Sequence, residues 1–158
     1  MRLKLEPLTR DAFADFGDVI ETEGAQHFAI NQGMAERFHD LAKIDMAGDG
    51  QAIVSIFVSR AWPRPIAIRM LERHPLGSQA FIPLQQQDYV VVVAKRPEAS
   101  ELRGFLARGT QGVNYGRNIW HHPLLALENE SRFLVIDRGG PGNNLEEAWL
   151  RELIHLDL

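Results

Sequence analysis

The sequence predicts a mainly β protein with only short helices, closed as a small antiparallel barrel around a ligand cavity. Short apolar, β-branched runs recur between turn residues, as in AIVSIFVS at Ala52–Ser59 and YVVVVAK at Tyr89–Lys95. Many such strands at turn-punctuated intervals, with little helical periodicity, indicate a sandwich or barrel. Two further segments have strand-like spacing but carry polar side chains that no core strand needs. These are LERHPLGSQAFIPL at Leu71–Leu84 and GVNYGRNIWHHPLL at Gly112–Leu125. Together they predict one pocket lined from two sides.

The elements follow in order. Arg2–Leu5 alternates and reads as a first strand. Thr9 is placed to N-cap a short helix through Phe16, with Gly17 as its stop. Asp18–Thr22, His27–Asn31 and, more weakly, Glu36–Leu41 read as short strands. Ala52–Ser59 is a strand, and Pro63 and Pro65 then exclude a helix and mark a loop or edge. Ile66–His74 alternates, Gly77 turns the chain, and Ser78–Leu84 returns. Tyr89–Lys95 reads as a fully buried strand. Pro97 and Ser100 open a helical turn through Leu102, and Phe105–Ala107 is apolar. Gly109 and Gly112 bracket a turn before the histidine segment, which runs into Leu124–Leu127. Asn129 and Glu130 turn the chain into the strand Arg132–Asp137. The loop RGGPGNN follows, then a tail expected to start as a helix at Glu146–Trp149 and finish as a strand at Leu153–Leu156.

At 158 residues the chain fits one domain, and this size supports a core without metal or disulfide. Lys and Arg number 17 against 21 Asp and Glu, a net charge of −4. That balance, with no basic cluster, argues against nucleic acid as a partner. The absence of cysteine excludes disulfides, a thiolate nucleophile and a Cys-type zinc or iron–sulfur site. The N-terminus MRLKLEP is charged where a signal peptide needs an apolar core. The strongly apolar run Val90–Ala94 is far too short to cross a membrane. A soluble cytoplasmic protein is expected.

The chemistry gathers in the two polar segments. Strand alternation puts Glu72 and His74 on one face and Arg73 on the other, and the Gly77 turn lets Gln79 sit opposite His74. Of the adjacent pair His121 and His122, only one can point inward, and alternation alone does not choose. Histidine titrates nearest neutrality and suits proton transfer. His74, His121 and His122 are therefore acid–base candidates, with Tyr115 as a donor. Arg73, Arg117, Asn114 and Gln79 are available to bind an anion. Plainer readings stand beside these. Glu72 and Arg73 would form a strand-end ion pair, Arg117 would pair with Asp137, and Asn114 and Asn118 would be turn residues. His27, His39 and His155 read as structural. The loop RGGPGNN lacks the strand–GxxxxGK[ST]–helix context of a phosphate loop.

The pattern Glu72-x-His74-(x)4-Gln79 resembles the first motif of cupin barrels, with Glu for the first His and Gln for the usual Glu. In that likeness a later histidine strand, here Asn118–Pro123, faces the same metal-sized cavity. The implied site is His74, Gln79 and one of His121 or His122, with Glu72 in reserve, holding one divalent metal ion such as Ni, Mn, Fe or Zn. His121 is the histidine carried in that ligand set. No organic cofactor is implied.

The chain as a whole resembles the ureidoglycolate lyase family. The likeness rests on FGDVIET at Phe16–Thr22, INQGMAERFHDLA at Ile30–Ala42, ERHPLGSQAFIPL at Glu72–Leu84, VVVVA at Val90–Ala94, QGVNYGRNIWHHPL at Gln111–Leu124 and IDRGG at Ile136–Gly140. Gly116 departs from the family, where a histidine can precede the Arg–Asn pair, and the tail after Asn143 matches least. The resemblance implies a homodimeric cupin that splits ureidoglycolate into glyoxylate and urea in allantoin breakdown. Two alternatives remain open at this point. One is a non-catalytic cupin binding a small carboxylic acid; the other is a metal-dependent ureido-acid hydrolase releasing ammonia.

Overall fold

Two sheets and a projecting hairpin make up the computed structural model, which describes residues 1–158. The first half of the chain supplies β1 (Arg2–Pro7), helix α1 (Arg10–Phe13), β2 (Gly17–Ile20), β3 (His27–Ile30), β4 (Ala35–Phe38), β5 (Gln51–Ser59) and β6 (Ala67–Arg73). Then come β7 (Gln79–Pro83), β8 (Tyr89–Ala94), β9 (Arg103–Ala107), β10 (Gly112–Tyr115), β11 (Trp120–His121), β12 (Leu125–Ala126), β13 (Ser131–Gly139) and β14 (Glu146–Asp157). The larger sheet has the order β11-β6-β14-β1-β9-β8-β12. Because β11 also pairs with β8, the ring of β11, β6, β14, β1, β9 and β8 closes. The second sheet has the order β2-β10-β7-β13-β5, and β3 and β4 form the hairpin. The architecture is a cupin-like β-barrel, as the sequence predicts. No helix is long and apolar enough to cross a membrane.

The central strand shows why its sequence is apolar throughout. Tyr89, Val91 and Val93 on β8 enter a core between the sheets with Phe13, Phe81, Phe105 and Phe133. Val90, Val92 and Ala94 enter a second core inside the closed ring with Ile68, Leu71, Trp120 and Ile154. A strand buried on both faces needs no polar phase, so the run is continuous.

Three elements differ from the sequence reading. Pairing is antiparallel except at β1, which runs parallel to both β14 and β9. A strand at the start of the chain has no hairpin to fix its direction, and the rest of the chain serves as its crossover. Thr9 does cap α1, accepting from the Ala12 N–H at 3.2 Å, but the helix ends at Phe13 and a turn carries the chain to Phe16. The expected helix at Glu146–Trp149 is part of β14 instead, with Glu146 opposite Arg73 and Ala148 opposite Leu71. Its register shifts between Trp149 and Ile154, which breaks the period-two pattern. Local helix formers then yield to pairing with β6.

The β2–β10 contact sets a backbone constraint. Gly17 has φ of +150°, and a Cβ there would lie 1.8 Å from the Asn114 carbonyl oxygen. Gly17→Ala is expected to lower unfolding free energy by about 1–3 kcal/mol or more, read from denaturant titration with the m-value unchanged. An unaltered midpoint would contradict the close approach.

Candidate active site

The site is assembled from strand ends at one end of the space between the sheets. Glu72 is next to last in β6, and His74 follows that strand. Gln79 opens β7, Tyr115 ends β10, His121 ends β11, and Asp137 lies near the end of β13. His121 is directly opposite Glu72, and Tyr115 directly opposite Gln79. Opposed side chains stand about 4.5–5.5 Å apart at Cβ, so register alone makes these pairs neighbours.

Glu72 is the hub. Its Oε1 lies 3.5 Å from His121 Nε2 and 3.9 Å from His74 Nε2, and the ligating atoms of the three residues all lie within 4.8 Å of one another. Backbone carbonyls fix both rings: His74 Nδ1 donates to Asn144 at 2.8 Å, and His121 Nδ1 donates to Ile119 at 2.9 Å. The Nε2 atoms are thereby turned toward Glu72. His121 is 1% exposed, and its Nε2 has no hydrogen-bond partner. Tyr115 lies flat on the His121 ring, with centroids 4.1 Å apart and planes 6° apart. Gln79 Oε1 is 3.0 Å from His74 Nε2, and the Gln79 amide nitrogen donates to Asp137 Oδ2 at 3.1 Å.

The charges follow from this packing. Burial alone would raise the Glu72 carboxyl. The approach of His121 Nε2 at 3.5 Å and the charges of His121, His74 and His122 outweigh it, and hold the carboxyl below the usual glutamate value. Glu72 is therefore an ionised acceptor near neutrality. Burial, reinforced by the Glu72 charge, pushes the Tyr115 phenol well up, so it remains a donor.

The other candidates lie elsewhere. His122 faces the opposite way: it packs edge-on against Trp62 at 4.8 Å, its Nδ1 donates to the Pro123 carbonyl at 2.8 Å, and burial lowers its pKa. Arg73 pairs with Glu146 at 2.7 Å and lies over the Trp120 ring, not with Glu72. Arg117 pairs with Asp45, its Nε 2.9 Å from Oδ2, instead of the expected Asp137. Asn114 is buried away from these residues, and donates to Asp18 at 3.0 Å and to the Lys43 carbonyl at 2.8 Å.

Residues 1–157 match the family described as "Ureidoglycolate lyase". The chain belongs to the ureidoglycolate lyase family. Proteins named ureidoglycolate lyase from Brucella melitensis biotype 2 and Pseudomonas syringae pv. tomato are 59% and 54% identical over 153 and 154 residues. The aligned stretch covers 95% of this chain in each case, and 90% and 91% of the relatives. One from Burkholderia mallei (strain NCTC 10229) is 54% identical over 157 residues, covering 98% of this chain and 92% of its own. Within this ureidoglycolate lyase fold, the sequence motifs led to Glu72, His74, Gln79, Tyr115 and His121, which the structure brings together. The sequence offers Asp137 as a partner for Arg117 and does not lead to Asn144. Asp137 continues the inward phase of Phe133 and Val135, a signal present in RFLVID. Asn144 acts through its carbonyl, which no side-chain pattern reveals.

The two tyrosines of the chain give a direct reading of this burial, since burial pushes Tyr89 well up as well. Folded pKa values above the unfolded value of about 10 contribute stability that is complete below that pH and is lost as pH rises through the folded values. Phenolate absorbance is expected to stay flat through pH of about 10 and to rise only as far-UV circular dichroism is lost. Phenolate forming near that pH in folded protein would contradict the burial.

Proposed function

We propose that the protein is a ureidoglycolate lyase that releases glyoxylate and urea, a step of allantoin breakdown, at the Glu72–His74–His121 site. The observation that carries this reading is the convergence of two carbonyl-locked imidazoles on one ionised carboxylate, in a chain matched to the family from end to end. In the reaction the carbinol O–H loses its proton and its electrons form the C=O of glyoxylate. The C–N bond breaks, and its electron pair goes to the ureido nitrogen, which takes up a proton and leaves as urea. Glu72, ionised and with its Oε1 3.5 Å from His121 Nε2, is a proton acceptor this chain offers at the site. Tyr115, held protonated, is the donor we assign to the leaving nitrogen, and its stacking keeps the His121 ring from turning.

A divalent metal ion fits the donor set. His74 and His121 commit Nδ1 to carbonyls and turn Nε2 toward Glu72, the arrangement found around metal-ligating histidines. His121 Nε2 is a buried orphan, and His74 Nε2 and Gln79 Oε1 face each other at 3.0 Å, a contact that needs a proton or a cation to be attractive. Glu72, His74 and His121 would hold the ion, with Gln79 Oε1 beside it. When bound, it supplies positive charge for the substrate's carboxylate and hydroxyl oxygens, which Arg73 and Arg117, both already paired, do not bring.

Homodimer formation is part of the same reading. Strand β5 pairs only with β13, and Ile53, Val54, Ile56, Phe57 and Val58 along it are exposed, Val54 by 66%. A long apolar edge of this kind is covered in natural proteins, and antiparallel self-pairing about Ser55 matches apolar residues with apolar ones. Val54→Lys with Ile56→Lys is expected to give a folded monomer by sedimentation. Unchanged mass would place the interface elsewhere.

The activity test is a product assay with racemic ureidoglycolate. Glyoxylate and urea are expected in equal amounts, with turnover falling on chelation and returning on addition of Ni2+. Ammonia in place of urea would overturn the lyase reading. Glu72→Gln and His121→Ala are expected to lower kcat by about 10²-fold or more, whereas His122→Gln stays within about threefold.

A further inference from the structure

We propose that Asp137 is a positioning residue that holds the Gln79 carboxamide with its oxygen toward the Glu72–His74–His121 centre. Four observations carry this. Gln79 is 5% exposed, so its amide answers to protein partners and not to bulk water. The Gln79 nitrogen donates to Asp137 Oδ2 at 3.1 Å, and the Gln79 oxygen stands 3.0 Å from His74 Nε2. An ionised carboxylate only accepts hydrogen bonds, so Asp137 can receive only the nitrogen end. The amide oxygen is then left facing the centre. Finally, Asp137 has no Lys, Arg or His within ion-pair distance. A half-buried carboxylate without a cation is not there to fasten strands; its side chain spends its hydrogen bond on Gln79.

An amide left to itself presents either end with nearly the same shape. Turned around, Gln79 would point N–H donors at the face where His74 and Glu72 present nitrogen and oxygen, and would repel any cation. The Asp137 carboxylate removes that alternative without touching substrate or metal. The inference therefore rests on the reading of the centre given above, but it concerns the orientation of one side chain and can be tested separately from it.

The experiment compares the native protein, Asp137→Asn, Gln79→Glu and the double variant Asp137→Asn/Gln79→Glu. The single Asp137→Asn change is isosteric but offers a donor as well as an acceptor, so the Gln79 amide loses its fixed sense. The double variant restores it: the carboxylate introduced at position 79 has oxygen at both ends, and the amide introduced at position 137 donates to one of them. Ni2+ affinity by calorimetry and kcat are each expected to fall in Asp137→Asn by on the order of 10–100-fold, the usual cost of losing a partner that orients a ligand. The double variant is expected to recover most of both, with KM little changed throughout. Far-UV circular dichroism checks that all four proteins fold.

In metal-free protein, nuclear magnetic resonance reads the Gln79 side-chain amide directly, its signals identified by their loss in Gln79→Glu. These protons are expected to exchange slowly with solvent in the native protein and on the order of tenfold faster in Asp137→Asn. A native protein without Ni2+ binding or turnover would overturn the function proposed for the centre, and the amide exchange would still decide the role of Asp137. Equal exchange in native and Asp137→Asn protein would overturn that role. So would a double variant no better than the single one in a protein that binds Ni2+.

Discussion

The two-residue strand β11 is the contact on which the rest depends. Its pairing with β6 on one side and β8 on the other closes the six-strand ring. The same register sets His121 opposite Glu72. Barrel closure and assembly of the site are therefore one event. A shift of one residue in β11 would turn every side chain to the other face. His121 would enter the core inside the ring, and Trp120, which packs there with Leu71 and Val92, would be forced toward Glu72. The hydrophobic preference of Trp120 thus enforces the polar placement of its neighbour.

The site is dry on one side and wet on the other, and that asymmetry shapes its chemistry. His121 and Tyr115 are buried against aromatic residues that include Phe13 and Phe81, whereas Glu72 and His74 reach solvent. A carboxylate partly removed from water would ordinarily favour its neutral form. Here the surrounding imidazoles reverse the preference. The nearby phenol moves the other way, because burial and the Glu72 charge both disfavour its anion. One acceptor and one donor are separated in this manner by environment, with neither residue unusual in itself.

Much of this was legible in the sequence, and what was not has identifiable causes. Alternation in LERH placed Glu72 and His74 on one face, and the Gly77 turn returned Gln79 beside them, because both depend only on local strand geometry. The choice between His121 and His122 depends on which neighbour fills the ring core, a tertiary matter, and the structure selects His121 for the centre. Arg73, Arg117 and Asn114 were readable as polar but not as already partnered, since Glu146, Asp45 and Asp18 lie 73, 72 and 96 residues away in the chain. The helix expected at Glu146–Trp149 failed where the register shift in β14 hides the strand period. Asp137 was visible in phase with Phe133 and Val135, yet its meaning depended on finding Gln79 across the sheet.

The two histidines of the centre are fixed by carbonyls of different origin, and this difference ties the site to the whole chain. His121 bonds to Ile119, two residues away, so its orientation is set within its own segment. His74 bonds to Asn144, 70 residues on, and the Asn144 side chain also accepts from the Leu76 N–H at 2.8 Å. Asn144 thus clasps both sides of the turn that leads from β6 to β7. It is held there by β14, which pairs with β6 beside it and with β1 at the start of the chain. Asn144 therefore aims the His74 ring through its backbone carbonyl and fixes the turn through its side chain. The aim of the His74 ring is set by docking of the C-terminal strand, and so by completion of the barrel.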